Sequence, residues 1–228
     1  MAHLNELRRR IVWSAVAVAG GAAVAFIFVD GLREVLEAPF FKAAPDANFQ
    51  TLAAGEQWGV LMRIGLFGGV VIASPVILYQ VWAFINPALN ERERRWAVPI
   101  VSSLVVLFVG GVVFGYFVLP RGLEFLLSIF DDVDNNLRFA EYYSFTLRFL
   151  LAFGIAFLFP VFLLAATGAG VLSSEKLGRG RRWAVLLIVT GAAIITPTGD
   201  ALTLFALSVP LYLMYEAVYW VARLALRK

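Results

Sequence analysis

The chain has 228 residues, of which 61% are hydrophobic and 15% charged, and its formal net charge is +3. A mean hydropathy of +0.82 lies outside the range of water-soluble domains and makes a lipid bilayer the expected solvent. With no cysteine and one histidine, His3, the composition leaves no basis for disulfides, thiolate metal sites or Ser–His and Cys–His catalysis.

A spanning helix needs about 20 mostly apolar residues. In chain order the first such run is 11–29, preceded by Arg8, Arg9 and Arg10. It is too long for the apolar core of a signal peptide and more spans follow it, so it is expected to be a retained helix. The connection 30–59 contains GLREVLEAPFF, whose Leu32, Val35, Leu36 and Phe40 have the spacing of a short amphipathic helix near the membrane surface. Spans at 60–85 and 96–119 follow, separated by the charged stretch INPALNERERRW, and a fourth occupies 145–167. Two less regular apolar stretches, 183–195 and 201–222, complete a set of six. The fifth would cover roughly 20 Å as a helix against a hydrocarbon core of about 30 Å, so it needs neighbouring helices or a thinned bilayer. Pro75, Pro99, Pro160 and Pro210 lie in or near spans and predict kinks there. Small-residue runs at 20–25, 65–69 and 110–115 predict close helix–helix approach.

Charge sets the expected orientation. Thirteen of the nineteen lysines and arginines lie in the N-terminus, the 86–95 loop, the 168–182 loop and the C-terminal tail. The alternate connections, 30–59 and 120–144, hold mainly acids. By the positive-inside rule this predicts a single six-helix membrane domain, residues 1–228, with both termini in the cytoplasm. The basic clusters carry no interleaved aromatic platform, so nucleic acid is not an expected partner.

Few ionisable groups fall inside the spans. Arg63 and Arg148 lie near the outer ends of theirs, where a long side chain can snorkel to water. Asp200, in the turn TPTGD, could cap the sixth helix. Glu216 has two open readings, a group facing a water-filled concavity or a structural one. At the basic edge, Glu6 can reach Arg9 or Arg10, and Glu91 can reach Arg94 or Arg95, at helical spacing. The competing reading is that one of these carboxylates receives a guanidinium from another molecule. Two parallel bonds would then distinguish arginine from lysine.

The blocks HLNELRRRI, SPVILYQVWAFINPALNERERR, FGYFVLP, YYSFTLRFLLAFG, TPTGD and ALSVPLYLMYE resemble the TatC family in order and spacing along nearly the whole chain. The family is the polytopic receptor of the twin-arginine protein translocation system. The resemblance implies an all-α membrane protein of six transmembrane helices in a concave, glove-like arrangement. It implies that Glu6 and Glu93 help bind the paired arginines of signal peptides, with Phe84, Pro87, Leu89, Arg94 and Arg95 completing the loop motif. Pro39, Asp200 and Glu216 match further proline and polar positions of the family. Expected partners are twin-arginine signal peptides of folded proteins, single-span proteins of the TatA and TatB type, other copies of the chain and the lipid bilayer. Recruitment would be driven by the proton-motive force in the cytoplasmic membrane, with no catalytic residue, cofactor or metal. One departure is visible: FGIAFLFP places Leu158 where the family commonly has a glutamate. A small ion- or proton-coupled transporter is the alternative. It predicts repeated halves and paired midplane charges that this sequence does not display.

Overall fold

The computed structural model describes residues 2–45, 49–51, 53, 55–85, 97–128, 138–168, 172–195 and 201–224. The described residues are almost entirely helical: α1 (Ala2–Ile27), α2 (Val29–Ala43), α3 (Glu56–Ile85), α4 (Ala97–Ser128), α5 (Phe139–Ala156), α6 (Phe159–Gly168), α7 (Ser174–Arg179), α8 (Arg181–Ile195) and α9 (Ala201–Leu224). Among the described residues, five stretches are long and apolar enough to cross a membrane: Leu4–Ile27, Glu56–Phe84, Val98–Ser128, Phe139–Gly168 and Thr203–Leu224. Helix α8, with 15 residues, is about 22 Å long and falls short of that length.

Two compact units are present, Met1–Val109 with Asp134–Leu147, and Gly110–Val133 with Arg148–Lys228. In the first, α1 lies directly on α3. Gly21 faces the Gly69 backbone, Gly69 faces Ala22, and Gly68 meets the Ala25 methyl and Leu32. With no side chain between them the two backbones touch, which is how dispersion forces hold helices together where lipid removes the hydrophobic drive. Helix α2 turns Leu36, Pro39 and Phe40 inward. There Phe40 stacks on Phe49 at 4.3 Å between ring centroids and leans on Tyr142. The Tyr142 hydroxyl donates to the Leu36 carbonyl, and the Tyr143 hydroxyl donates to Glu37 Oε1 at 2.7 Å. Below this cap, the Glu56 carboxylate accepts from the Ala140 N–H at 3.1 Å.

In the second unit, Gly111 and Gly115 of α4 pack against Phe153, and Gly111 also meets Phe157. The Phe114 ring lies 5.4 Å from that of Phe157. Helix α9 packs against α6, α7 and α8.

Three boundaries differ from the sequence expectation. The third span continues past 119 and through Pro120 to Ser128. A proline there removes one backbone hydrogen bond, and the turn beyond it is held because Gly122 lets Thr203 of α9 close in. The fourth span is interrupted at Phe157 and Leu158, where the Leu158 N–H reaches back three residues to the Ile155 carbonyl. Pro160, with no N–H, forces this tightening, whereas helix continues through Pro75 and Pro210. The connection 168–182 contains α7, capped by Ser173 Oγ accepting from the Lys176 N–H at 3.3 Å.

Candidate functional site

The N-terminal block HLNELRRR forms the first turns of α1. One turn separates Glu6 from Arg10, and Glu6 Oε1 accepts from both Arg10 Nη2 and Arg10 Nε, the latter at 3.2 Å. The local pairing therefore forms, and it forms with Arg10 rather than Arg9. The Arg10 side chain retains 21% of its exposure and Glu6 35%, so the carboxylate is reachable from solvent while its guanidinium partner is the more covered. Glu6 is thus shown holding one arginine fork through two nitrogens.

Of the loop motif, Phe84 is half-buried in the last turn of α3. Pro87, Leu89, Glu91, Glu93, Arg94 and Arg95 lie outside the described residues, as does Asp200. Pro39 sits inside α2 and is buried. Arg63 does more than snorkel: its Nη1 donates to Ser144 Oγ and, at 3.4 Å, to the Ala140 carbonyl, tying α3 to α5. Leu158 is buried at the interruption between α5 and α6, an apolar residue in an apolar setting.

Glu216 is engaged by side chains of its own chain. Arg181 Nη2 donates to Glu216 Oε2 at 2.8 Å, and Arg181 Nε lies 2.7 Å from Oε1 as a charge contact rather than an aligned hydrogen bond. The Tyr212 hydroxyl donates to Oε1 at 3.0 Å. The Arg181 guanidinium also covers the Tyr219 ring at 4.7 Å, and the Tyr215 hydroxyl donates to the Leu177 carbonyl at 2.6 Å. One face of α9 thereby clamps α7 and the start of α8. The sequence signal for this clamp was weak, because Arg181 and Glu216 are 35 positions apart and each reads alone as an interfacial charge.

Glu216→Gln should lower the unfolding temperature only slightly, because both partners are partly solvated and screened. It should also speed tryptic cleavage after Lys176 and Arg179. Thermal unfolding and timed digestion measure the two effects, and an unchanged cleavage rate would contradict the clamp.

Five membrane-length helices, small-residue helix crossings and no metal-binding cluster among the described residues define a polytopic helical membrane protein. Residues 2–210 match the family described as "TatC: Sec-independent protein translocase protein (TatC)". A protein of that description from Aquifex aeolicus is 39% identical over 99% of this chain and 95% of its own length. The chloroplastic form from Pisum sativum is 34% identical over 98% of this chain and 63% of its own length. The solved "Crystal Structure of Twin Arginine Translocase Receptor- TatC" matches with a TM-score of 0.81 at 38% identity, covering 98% of this chain and 99% of that one. A second crystal structure of the same receptor, in DDM, gives a TM-score of 0.83. The chain belongs to the TatC family, and it is a membrane-embedded protein translocase component.

Proposed function

We propose that this chain is the receptor subunit of a twin-arginine translocase, binding signal peptides that carry paired arginines and nucleating the complex that exports folded proteins. The observation that supports the reading is the match of residues 2–210 to the TatC family, with Glu6 in the N-terminal block still 35% exposed beside Arg10. A carboxylate so exposed can accept a guanidinium from an arginine-bearing peptide, in competition with Arg10. In this proposal Glu6 and Glu93 are the anionic partners, Phe84, Pro87 and Leu89 shape the docking edge, and Arg94 and Arg95 hold the loop. Pro39, Asp200 and Glu216 serve the scaffold. Helix α8 is the short fifth of six spans, both termini are cytoplasmic, and the membrane is the cytoplasmic one. The charge distribution supports this orientation. The subunit is not an enzyme; single-span TatA- and TatB-type proteins and further copies of the chain assemble on it, powered by the proton-motive force.

The test is a crosslinking map with a peptide that carries a photoreactive group beside its arginine pair. Labels should concentrate on residues 1–10 and 86–95. Labelling scattered along the spans, or labelling equally strong with a twin-lysine peptide, would remove the receptor assignment for these residues.

A further inference from the structure

The clamp between α7, α8 and α9 leaves a set of cations that it does not use. Arg181 is neutralised by Glu216, and Arg179 lies 3.5 Å from Glu175. Lys176 and Arg182 are exposed and have no acidic partner among the described residues. Arg223, also exposed, accompanies them at this end of the unit. Its Nη1 donates to the Tyr219 hydroxyl at 2.8 Å and its guanidinium lies 6.0 Å above the Trp220 ring. Tyr219 connects the three elements, since it lies beneath Arg181 and its ring also approaches the Gly178 backbone.

One indole, Trp220, lies beneath Arg223, and a second, Trp183, follows Arg182 directly in the chain. Trp183 is 68% exposed at the start of α8, and Trp220 is 49% exposed in the last turns of α9. Further along each helix, away from the cations, the exposed residues become apolar, with Leu186 and Leu187 uncovered in α8 and Leu213 in α9. Cations, then indoles, then aliphatic side chains is the order in which a bilayer presents phosphate, interface and acyl chain.

We propose that Lys176, Arg182 and Arg223, flanked by Trp183 and Trp220, form a binding site for the phosphate headgroup of an anionic phospholipid. The surface commits to lipid over a soluble anion because the indoles and aliphatic faces continue the site into the hydrocarbon. The assignment is independent of the signal-peptide reading, as it uses neither Glu6 nor the 86–95 loop. A lipid held there would brace the α7 clamp from the headgroup side.

The experiment uses the intact chain, purified and delipidated in a neutral detergent, with native mass spectrometry as the readout. Phosphatidylglycerol and phosphatidylcholine of matched acyl chains are compared, with inorganic phosphate and an acidic peptide as separate arms. The intact chain should retain phosphatidylglycerol in preference to phosphatidylcholine by about tenfold or more, and added salt should reduce the preference. The triple variant Lys176→Gln, Arg182→Gln, Arg223→Gln should bring the two lipids to near parity. Arg8→Gln with Arg9→Gln, at the other end of the chain, should leave the preference intact. The single Lys176→Gln and Arg182→Gln variants should each show part of the loss, which keeps the test decisive if the triple variant does not fold. Parity of the two lipids on the intact chain, or an unchanged preference in the variants, overturns the proposal. Saturable binding of inorganic phosphate or of the acidic peptide without lipid selectivity overturns it equally.

Discussion

Gly69→Leu is expected to destabilise the chain by about 3 kcal/mol, while Gly20→Leu, one residue before the same contact, is expected to change stability by less than about 0.5 kcal/mol. A Cβ on Gly69 would stand 2.7 Å from the Ala22 nitrogen and 2.9 Å from its Cα, and one on Gly21 would stand 2.6 Å from the Gly69 carbonyl oxygen. These obstacles are backbone, so no side chain can swing away, and the helices must separate along their length. Around Gly20 nothing lies within 4 Å. The crossing carries the first unit, because the Ala22 and Ala25 methyls that it buries are small and offer no large apolar area in compensation. In hydrocarbon, moving such helices apart replaces close protein contact by lipid contact, and the difference is mostly lost dispersion and packing. Thermal unfolding of both variants in the same detergent provides the measurement. A Gly69→Leu protein that melts with the parent would show that α1 and α3 do not depend on backbone contact.

The residues show why some of this was legible in advance. Long apolar runs bounded by arginines need no tertiary information to be placed as spans, and the i, i+4 spacing of Glu6 and Arg10 makes their pairing a local matter. Helix α2 was legible because Leu36 and Phe40 repeat at helical spacing, and the structure buries both. Val35, which shares the apolar pattern, is 55% exposed: periodicity locates an apolar face, but a packed neighbour decides which part of it is covered. The end of α4 was misplaced because a proline is a local stop signal, whereas Thr203, from a distant part of the chain, supports the turn beyond it. Helix α7 is not legible from sequence because six residues are too few to show a period, although Ser173 is the type of residue that caps such a turn. The Arg181–Glu216 clamp depends on α9 returning beside α8, and no spacing rule reaches across that return.

The largest functional effect is expected at the two carboxylates assigned to the signal peptide. Glu93→Ala should weaken binding of a twin-arginine peptide by roughly tenfold to a hundredfold, the effect of losing one charge-assisted, bidentate pair. The loss for a twin-lysine peptide should be several times smaller, because an ammonium presents a compact charge that neighbouring oxygens can share. Glu6→Gln should act in the same direction, with a further consequence set by the structure. Glu6 is occupied by Arg10, so an incoming arginine must displace that side chain or share its oxygen. An i, i+4 pair of this kind stabilises a helix by only about 0.2–0.5 kcal/mol, so displacement is an easy exchange. Arg10→Gln should therefore raise affinity for the twin-arginine peptide by about twofold and for the twin-lysine peptide by less, whereas loss of one positive charge from the local field alone would help both peptides alike. Calorimetry on the four proteins with both peptides separates the cases. If Glu6→Gln and Glu93→Ala cost the two peptides equally, the carboxylates supply only a diffuse negative field. If Arg10→Gln also lowers affinity, Arg10 positions the site instead of competing for it, and Glu6 belongs to the scaffold of α1.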